Sequence, residues 1–410
     1  MPSTYYSDKI KIYINHREKI DNVLKKEYRM KTNILIEKCL AWKKVFLILL
    51  DNQRIEIDKI ELSFNDKNIA SVSIDLDKAK FGYLTNNIKC SHIVILSENL
   101  SCLKLSYNRR SKAYKIDLYV DGINDYGKID TYVLKDQKNL FFRKDQSKII
   151  NVYTPSNYDK NKKYNVILMF DSHNIFDINK LGEYTENYDR YGGWQVEATL
   201  ENIKKRYNEE FVVIGIDNSD EYRLTELIPR SNNWVIKSEI EAYFKTSEVK
   251  AITCAGHLDN LNDFINETLF PFVKENYSIK EDFMGICGSS CGGLASIYLG
   301  LKEINKYKFI LSFTPAIGMV KEENSKAIYK DFISKGVYLP YVFYFQGAEG
   351  QLESLIYYLN QNFVNNLIES GLNKDKVDSY IELTASHNED SWRYAFNFAL
   401  EQVMKKCKNK

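Results

Sequence analysis

The pattern of hydrophobic and polar positions divides the chain into two regions. Up to about residue 130, short apolar or alternating runs are separated by polar stretches such as Asn-Asp-Lys-Asn at 65–68 and Asp-Gly-Ile-Asn at 121–124. Short strands joined by turns have this pattern, so we predict a β-rich N-terminal domain over residues 1–130, with a β-sandwich as one option. Its strand candidates, and one stretch rich in helix formers, are residues 10–14, 45–50, 93–96 and 114–120, and residues 17–29.

In the second region, residues 131–410, short apolar runs alternate with helical patterns. Continuous apolar runs are expected for strands that are buried on both faces. Their alternation with helices predicts an α/β domain with a mostly parallel central sheet covered on both sides. The six strand candidates are residues 166–170, 212–216, 283–287, 309–313, 342–345 and 379–383.

Two helices of this region are predicted from apolar stripes. Apolar residues at helical spacing from Leu352 to Leu367 predict one helix, which Gly371 should end. A last helix carries the second stripe, which consists of Trp392, Phe396, Ala399 and Val403.

The strongest chemical signal is a Gly-x-Ser-x-Gly motif. The strand candidate 283–287 runs directly into Gly-Ser-Ser-Cys-Gly-Gly at 288–293, and an apolar helical run follows. A nucleophile elbow has this strand–turn–helix context, with Ser290 at its centre and small residues at 288 and 292 where the turn leaves no room for bulk. The N-terminus of the following helix favours negative charge near the serine. The alternative is a glycine-rich phosphate or structural turn.

A serine nucleophile needs a base and usually an acid, which follow it along an α/β-hydrolase chain in the order acid, then histidine. His387 is the only histidine after Ser290. Glu349, which follows the strand candidate 342–345, is our first choice for the acid and Glu353 the second. Carboxylates near helix starts are also common for unrelated reasons, so a dyad without an acid stays open.

The oxyanion hole should combine two backbone N–H groups. One belongs to Cys291, the residue after the nucleophile, and the other to Ser172 or His173 in the loop after the strand candidate 166–170. Cys291 could itself suggest a thiol nucleophile, but Ser290 holds the central position of the motif.

Two further residues are candidates for substrate binding. These are Trp194 and Arg223. The simpler interpretation is a core tryptophan and an ion pair of Arg223 with Glu226.

The composition limits the class of binding partner and the cellular compartment that we expect for this protein. The 410 residues carry 57 basic and 55 acidic side chains, a net charge of +2 that favours neither nucleic acid nor an anionic membrane as partner. Seven cysteines at irregular spacing predict reduced thiols rather than a disulfide framework, and no spacing indicates a structural metal. Because the N-terminus lacks an apolar signal-peptide core, we expect a cytoplasmic protein. The oligomeric state stays open.

Five segments resemble, in order, motifs of the esterase family that includes enterochelin esterases, esterase D and feruloyl esterases. They are Phe-Asp-Ser-His-Asn-Ile-Phe-Asp at 170–177, Gly-Trp-Gln-Val-Glu at 193–197, Val-Ile-Gly-Ile-Asp-Asn at 213–218 with Arg223, Glu226 and Pro229 behind it, Gly-Ser-Ser-Cys-Gly-Gly at 288–293, and Ser-His-Asn-Glu-Asp-Ser-Trp at 386–392. The chain departs from the family at Ser172 and His173, where the family has Gly and Gln, and at Glu349, which is one residue closer to its preceding glycine.

The resemblance implies an α/β-hydrolase fold and a serine carboxylic-ester hydrolase. A small-molecule ester would acylate Ser290, with His387 as general base and no cofactor. Two other functions stay open: acyl transfer to an alcohol by the same residues, and a binding protein on an inactive hydrolase scaffold. The ester itself is not specified.

Overall fold

The computed structural model describes residues 31–38, 42–87, 94–95, 103–108, 113–118, 125–176, 193–219, 221–229, 256–319 and 322–408. Strands and helices are numbered below in chain order within these residues. The strand candidate at 10–14 and the helix expected at 17–29 lie outside them.

The first eight described strands form two four-stranded sheets, ordered β4-β1-β7-β8 and β3-β2-β5-β6. Their neighbours are antiparallel, except that β1 and β7 are parallel. The apolar runs at 45–50, 93–96 and 114–120 overlap with β2, β6 and β8 in their described residues. The bounds are β1 Lys31–Glu37, β2 Phe46–Leu50, β3 Glu56–Glu61, β4 Ile69–Asp75, β5 Phe81–Thr85, β6 Val94–Ile95, β7 Leu103–Asn108 and β8 Ala113–Leu118.

The other eight described strands form one sheet, ordered β16-β15-β14-β13-β11-β12-β10-β9. From β12 to β16 every neighbouring pair is parallel, and only the β10 and β9 edge is antiparallel. The mostly parallel α/β sheet is therefore confirmed, and all six predicted runs lie in its strands. The bounds are β9 Lys128–Lys135, β10 Ser147–Thr154, β11 Tyr164–Phe170, β12 Phe211–Ile216, β13 Ile279–Ser289, β14 Phe309–Phe313, β15 Tyr341–Glu349 and β16 Val377–Ser386.

The predicted domain boundary at residue 130 lies inside β9, which belongs to the large sheet. The division of the chain into two domains stays a prediction.

The large sheet is buried on both faces. In β11, Ile167 and Met169 pack in one hydrophobic cluster, whereas Val166, Leu168 and Phe170 pack in the other. Because successive strand residues point to opposite faces, a strand covered on both sides must be apolar at every position.

Helices cover the sheet, and none in the described part of the chain has both the length and the hydropathy of a membrane span. Their bounds are α1 Val196–Tyr207, α2 Arg223–Leu227, α3 Leu258–Phe264, α4 Phe270–Asn276, α5 Ser290–Lys302, α6 Glu322–Ser334, α7 Gln351–Leu359, α8 Phe363–Glu369 and α9 Glu389–Val403.

The single helix predicted from Leu352 to Leu367 is wrong, because the chain forms two helices separated at Asn360. The Asn360 side chain donates to the Pro315 carbonyl at 2.6 Å and accepts from the Gly318 N–H at 2.8 Å. These bonds tie the segment to a neighbouring loop. Gly371, with φ of +111°, lies just beyond the second helix, as predicted.

The strand order changes direction at β11. The next strand in sequence, β12, lies on one side of β11, whereas β13 lies on the other. In open α/β sheets, ligands bind outside the carboxyl ends of the strands at such a switch point. The loop after β11 and the turn after β13 therefore meet where a site is expected.

Candidate active site

The predicted elbow forms a strained turn. Strand β13 ends at Ser289, α5 begins at Ser290, and Ser290 has φ of +54°. Such a conformation costs a non-glycine residue about 1–3 kcal/mol and is found mainly where function requires it. A Cβ on Gly288 would lie 2.5 Å from the Gly292 carbonyl, so a side chain there would prevent the turn.

Gly292 makes room for a different group. A Cβ on this residue would lie 3.1 Å from Asp171 Oδ2 and 3.2 Å from the Phe170 Cβ. The second glycine of the motif thus lets the loop after β11 approach the elbow closely.

The first turn of α5 supplies unpaired donors. The first N–H groups of a helix have no partner inside it, and the Ser289 side chain does not cap them. The N–H of Cys291 is among these groups, so its predicted place in an oxyanion hole is compatible with the local geometry.

His387 lies between β16 and α9, at the carboxyl edge of the sheet. Its Nδ1 is 2.6 Å from Glu353 Oε2, and the Glu353 side chain is fully buried. The other carboxylate oxygen accepts the Gly347 N–H at 3.1 Å. A buried carboxylate held in this way fixes the orientation of the imidazole and leaves Nε2 for other partners.

Glu349, the first choice for the acid, does not contact His387. It is exposed at the end of β15, where it pairs with Ser386 of β16 and accepts from the Ser386 hydroxyl at 3.2 Å. Glu353 lies in the first turn of α7 and reaches back to the sheet edge. The structure therefore replaces Glu349 with Glu353, the second choice, as the carboxylate beside the imidazole.

Two residues that the sequence did not suggest for this role contact the imidazole. Thr314 Oγ1 is 3.4 Å from His387 Nδ1 and accepts the indole N–H of Trp392 at 3.0 Å. The Trp392 ring meets the imidazole edge-on, with centroids 5.1 Å apart. Thr314 follows another strand, so no spacing in the sequence joins it to His387. Trp392 belongs to the same family-like segment as His387, at 386–392, but its own predicted role was in the apolar stripe of the last helix.

Ser290 and His387 approach the same edge of the sheet without a hydrogen bond between them in the described part of the chain. The segment from Phe313 to Pro315 contacts both the elbow and His387. A Cβ on Gly293 would lie 3.1 Å from Pro315 Cβ and from the Phe313 carbonyl, and Thr314, between those two residues, contacts His387. Catalytic hydrogen bonds are often long without substrate and shorten in the complex.

The loop after β11 limits the choice of the second oxyanion donor. The Ser172 N–H donates to the Ile216 carbonyl at 3.0 Å, and the fully buried Ser172 hydroxyl accepts from Asn151 at 2.9 Å. Ser172 is therefore excluded as a donor in this conformation. The His173 N–H has no acceptor among the described residues and is the remaining predicted candidate.

Trp194 is not on a substrate surface. Only 1% of it is exposed, and its ring packs against Phe313, Trp392 and Phe396 at centroid distances of 5.2–6.0 Å. The substrate-binding prediction for this residue is wrong, because the sheet and α9 enclose the indole.

Arg223 forms an ion pair, but not with Glu226 as the simpler interpretation expected. Its Nε and Nη2 donate to the two oxygens of Asp171 at 2.7 and 2.8 Å. Glu226 is bound instead by Lys148 and Arg143. Burial acts to lower the pKa of Arg223, but the Asp171 carboxylate outweighs it and raises that pKa above its usual value.

The Cys291 thiol is a poor nucleophile in this site. Only 5% of the residue is exposed, and burial raises the pKa of the thiol although Arg223 acts in the opposite direction. Because the thiolate is the reactive form, the geometry favours Ser290 over Cys291.

A metal centre is not evident in the described segments, where no three His, Cys, Asp or Glu side chains are grouped to hold an ion.

Three solved structures are similar to this chain. They are a ferulic acid esterase from the anaerobic fungus Anaeromyces mucronatus (18% identity, 68% of this chain and 91% of the other covered, TM-score 0.47), a siderophore hydrolase from Aspergillus nidulans (17%, 69% and 98%, 0.49) and an IroE-like serine hydrolase from Shewanella oneidensis (13%, 68% and 80%, 0.49).

A comparison with curated protein sequences found no match. The model of the family described as "Putative esterase" matches residues 145–330. This stretch includes the loop after β11, the elbow at Ser290 and Arg223. Over residues 145–330 the chain is therefore similar to this esterase family.

Proposed function

We propose that this protein is a serine carboxylic-ester hydrolase in which Ser290 is the nucleophile, His387 the general base and Glu353 the acid. The observation that carries the proposal is the 2.6 Å contact between His387 Nδ1 and the buried Glu353, at the sheet edge where Ser290 occupies a strained elbow. The esterase-family match supports ester hydrolysis as the reaction class.

In the proposed mechanism, the Ser290 hydroxyl attacks the ester carbonyl while His387 takes its proton. The tetrahedral oxyanion accepts hydrogen bonds from the N–H groups of Cys291 and His173. When the intermediate collapses, His387 returns the proton to the leaving alcohol, and Ser290 keeps the acyl group.

Water then completes the cycle. His387 removes a proton from the water as it attacks the acyl-enzyme, and the second tetrahedral intermediate releases the carboxylic acid and regenerates Ser290. Glu353 accepts a hydrogen bond from Nδ1 of His387 and stabilises the imidazolium in both halves of the cycle. Each backbone oxyanion donor should lower the barrier by about 3 kcal/mol, since that is the usual loss when one is removed.

The test is hydrolysis of short-chain nitrophenyl esters by the wild-type protein and by Ser290→Ala. We expect turnover by the wild type and a decrease of about 10⁴-fold or more in the variant, as in other serine hydrolases. Equal rates in both proteins would refute the proposal.

A further inference from the structure

The loop that carries His173 begins at Asp171, whose backbone and side chain are both hydrogen-bonded. Asp171 has φ of +58°, its N–H donates to Asn218 Oδ1 at 3.1 Å, and its carbonyl accepts the Asn174 N–H at 3.1 Å. The second bond closes a turn over residues 171–174. The direction of the His173 N–H therefore depends on the placement of Asp171.

Arg223 holds the Asp171 side chain from a different part of the fold. Arg223 is the first residue of α2, which follows β12, and its guanidinium forms two parallel bonds to the carboxylate. A paired contact of this kind fixes the plane of the carboxylate as well as its distance. On its other side, the carboxylate lies against Gly292.

The hydrogen bond from the Asp171 N–H to Asn218 is itself stabilised by further contacts of Asn218. The Asn218 amide donates to Glu226, which Lys148 and Arg143 bind in turn. Both Asn218 and Glu226 are fully buried. With its amide group committed to Glu226, Asn218 presents its oxygen to the Asp171 N–H.

We propose that Arg223 is a positioning residue, which acts through Asp171 to set the N–H of His173 at the distance from the elbow that an oxyanion hole requires. The inference rests on the proposed function, since it assigns Arg223 to the same reaction. The alternative is a purely structural ion pair. Such a pair with a partly exposed arginine adds little to stability and would not affect the transition state selectively.

The experiment compares wild type, Arg223→Met and Arg223→Lys, with Arg206→Met as matched control. Arg206 also pairs with a buried carboxylate, Glu401, at 3.2 Å, and its side chain is 26% exposed against 31% for Arg223. That pair joins α1 to α9, away from the elbow. The measurements are kcat and KM with nitrophenyl acetate, the inhibition constant of phenylboronic acid, and the thermal midpoint.

Phenylboronic acid separates the two interpretations, because it forms a tetrahedral anionic adduct with a serine and so reports on the oxyanion hole. In Arg223→Met we expect kcat to fall and the boronate inhibition constant to rise, each by about 10- to 100-fold, while KM changes by less than about 3-fold. Arg223→Lys should restore only part of the loss, since an ammonium cannot form the paired contact. Arg206→Met should have normal kcat and boronate inhibition.

Near-normal kcat and boronate inhibition in a folded Arg223→Met would overturn the inference and leave the proposed function intact. A loss that Arg206→Met shares would also overturn it. If Arg223→Met does not fold, Arg223→Lys decides, and full wild-type values in that variant count against a paired contact. An inactive wild type would instead refute the proposed function itself.

Discussion

Among single residues, the proposed mechanism depends most on which carboxylate contacts His387. We expect Glu353→Gln to lower kcat by about 10²- to 10⁴-fold, because the amide no longer stabilises the imidazolium. Glu349→Gln is the control, since Glu349 lies at the exposed end of β15, where it accepts from Ser386 and does not contact His387. Steady-state kinetics would contradict the assignment if Glu349→Gln were the impaired variant, and equal near-normal rates would indicate a Ser290 and His387 dyad.

The residue after the nucleophile gives a second test. Burial raises the pKa of the Cys291 thiol, so the reactive thiolate is scarce at neutral pH and becomes common only in alkaline solution. We expect iodoacetamide to abolish the proposed ester hydrolysis only slowly at pH 7, and Cys291→Ala to keep most of this activity because the backbone N–H remains. Rapid inactivation of wild type, but not of Cys291→Ala, would contradict this expectation.

At the scale of elements, the strands of the large sheet were predictable but the break between α7 and α8 was not. A continuous apolar run indicates a strand that is buried on both faces, and such a run can be recognised from consecutive residues alone. The break depends on bonds from Asn360 to a loop some 45 residues earlier, which helical spacing cannot reveal. The acid was ambiguous for a related reason, since only the end of β15 decides whether Glu349 or Glu353 turns inward.

Asn360 should therefore contribute to stability. Asn360→Ala would leave the Gly318 N–H and the Pro315 carbonyl without this partner, and a buried unsatisfied group costs about 1–3 kcal/mol. We expect that loss in the free energy of unfolding, measured by denaturant titration. Asn362→Ala, at an exposed position in the same connection, is the control and should change it by less than about 0.5 kcal/mol. Equal effects would show that the Asn360 bonds are unimportant.

The first turn of α9 should make stability depend on pH. Burial raises the pKa of Glu389, although Asn174 donates to its carboxylate at 3.0 Å. The native state then holds this proton at pH values where the unfolded state has lost it, so stability falls as pH rises above the ordinary glutamate range. The glutamine in Glu389→Gln does not titrate, so the stability of this variant relative to wild type should increase from pH 4.5 to pH 7. A constant difference would contradict the shift.

At the scale of the whole molecule, the site is assembled by the order of the strands. The loop after β11, the elbow after β13, Thr314 after β14, Glu353 after β15 and His387 after β16 meet at one edge of the sheet. The order of Ser290 and His387 along the chain anticipated this meeting, because parallel strands place their carboxyl ends together. The sequence did not reveal the pairing of Asp171 with Arg223, since that contact requires β11 and β12 to be neighbours.

The N-terminal strands contact this scaffold. Arg54, in the turn between β2 and β3, donates to the buried Glu382 of β16 at 2.5 Å. Residues of both four-stranded sheets also share a hydrophobic cluster with one face of the large sheet. The Arg54 contact lies on β16, the strand that leads to His387.

Covalent labelling of the wild-type protein with a fluorophosphonate, read by intact mass and peptide mapping, would show directly whether Ser290 is an activated nucleophile. The reagent phosphonylates an activated serine, so we expect one adduct per chain on the peptide that contains Ser290, and none in a folded Ser290→Ala variant. Labelling that survives in Ser290→Ala, or an adduct on any other residue of the wild type, would contradict it.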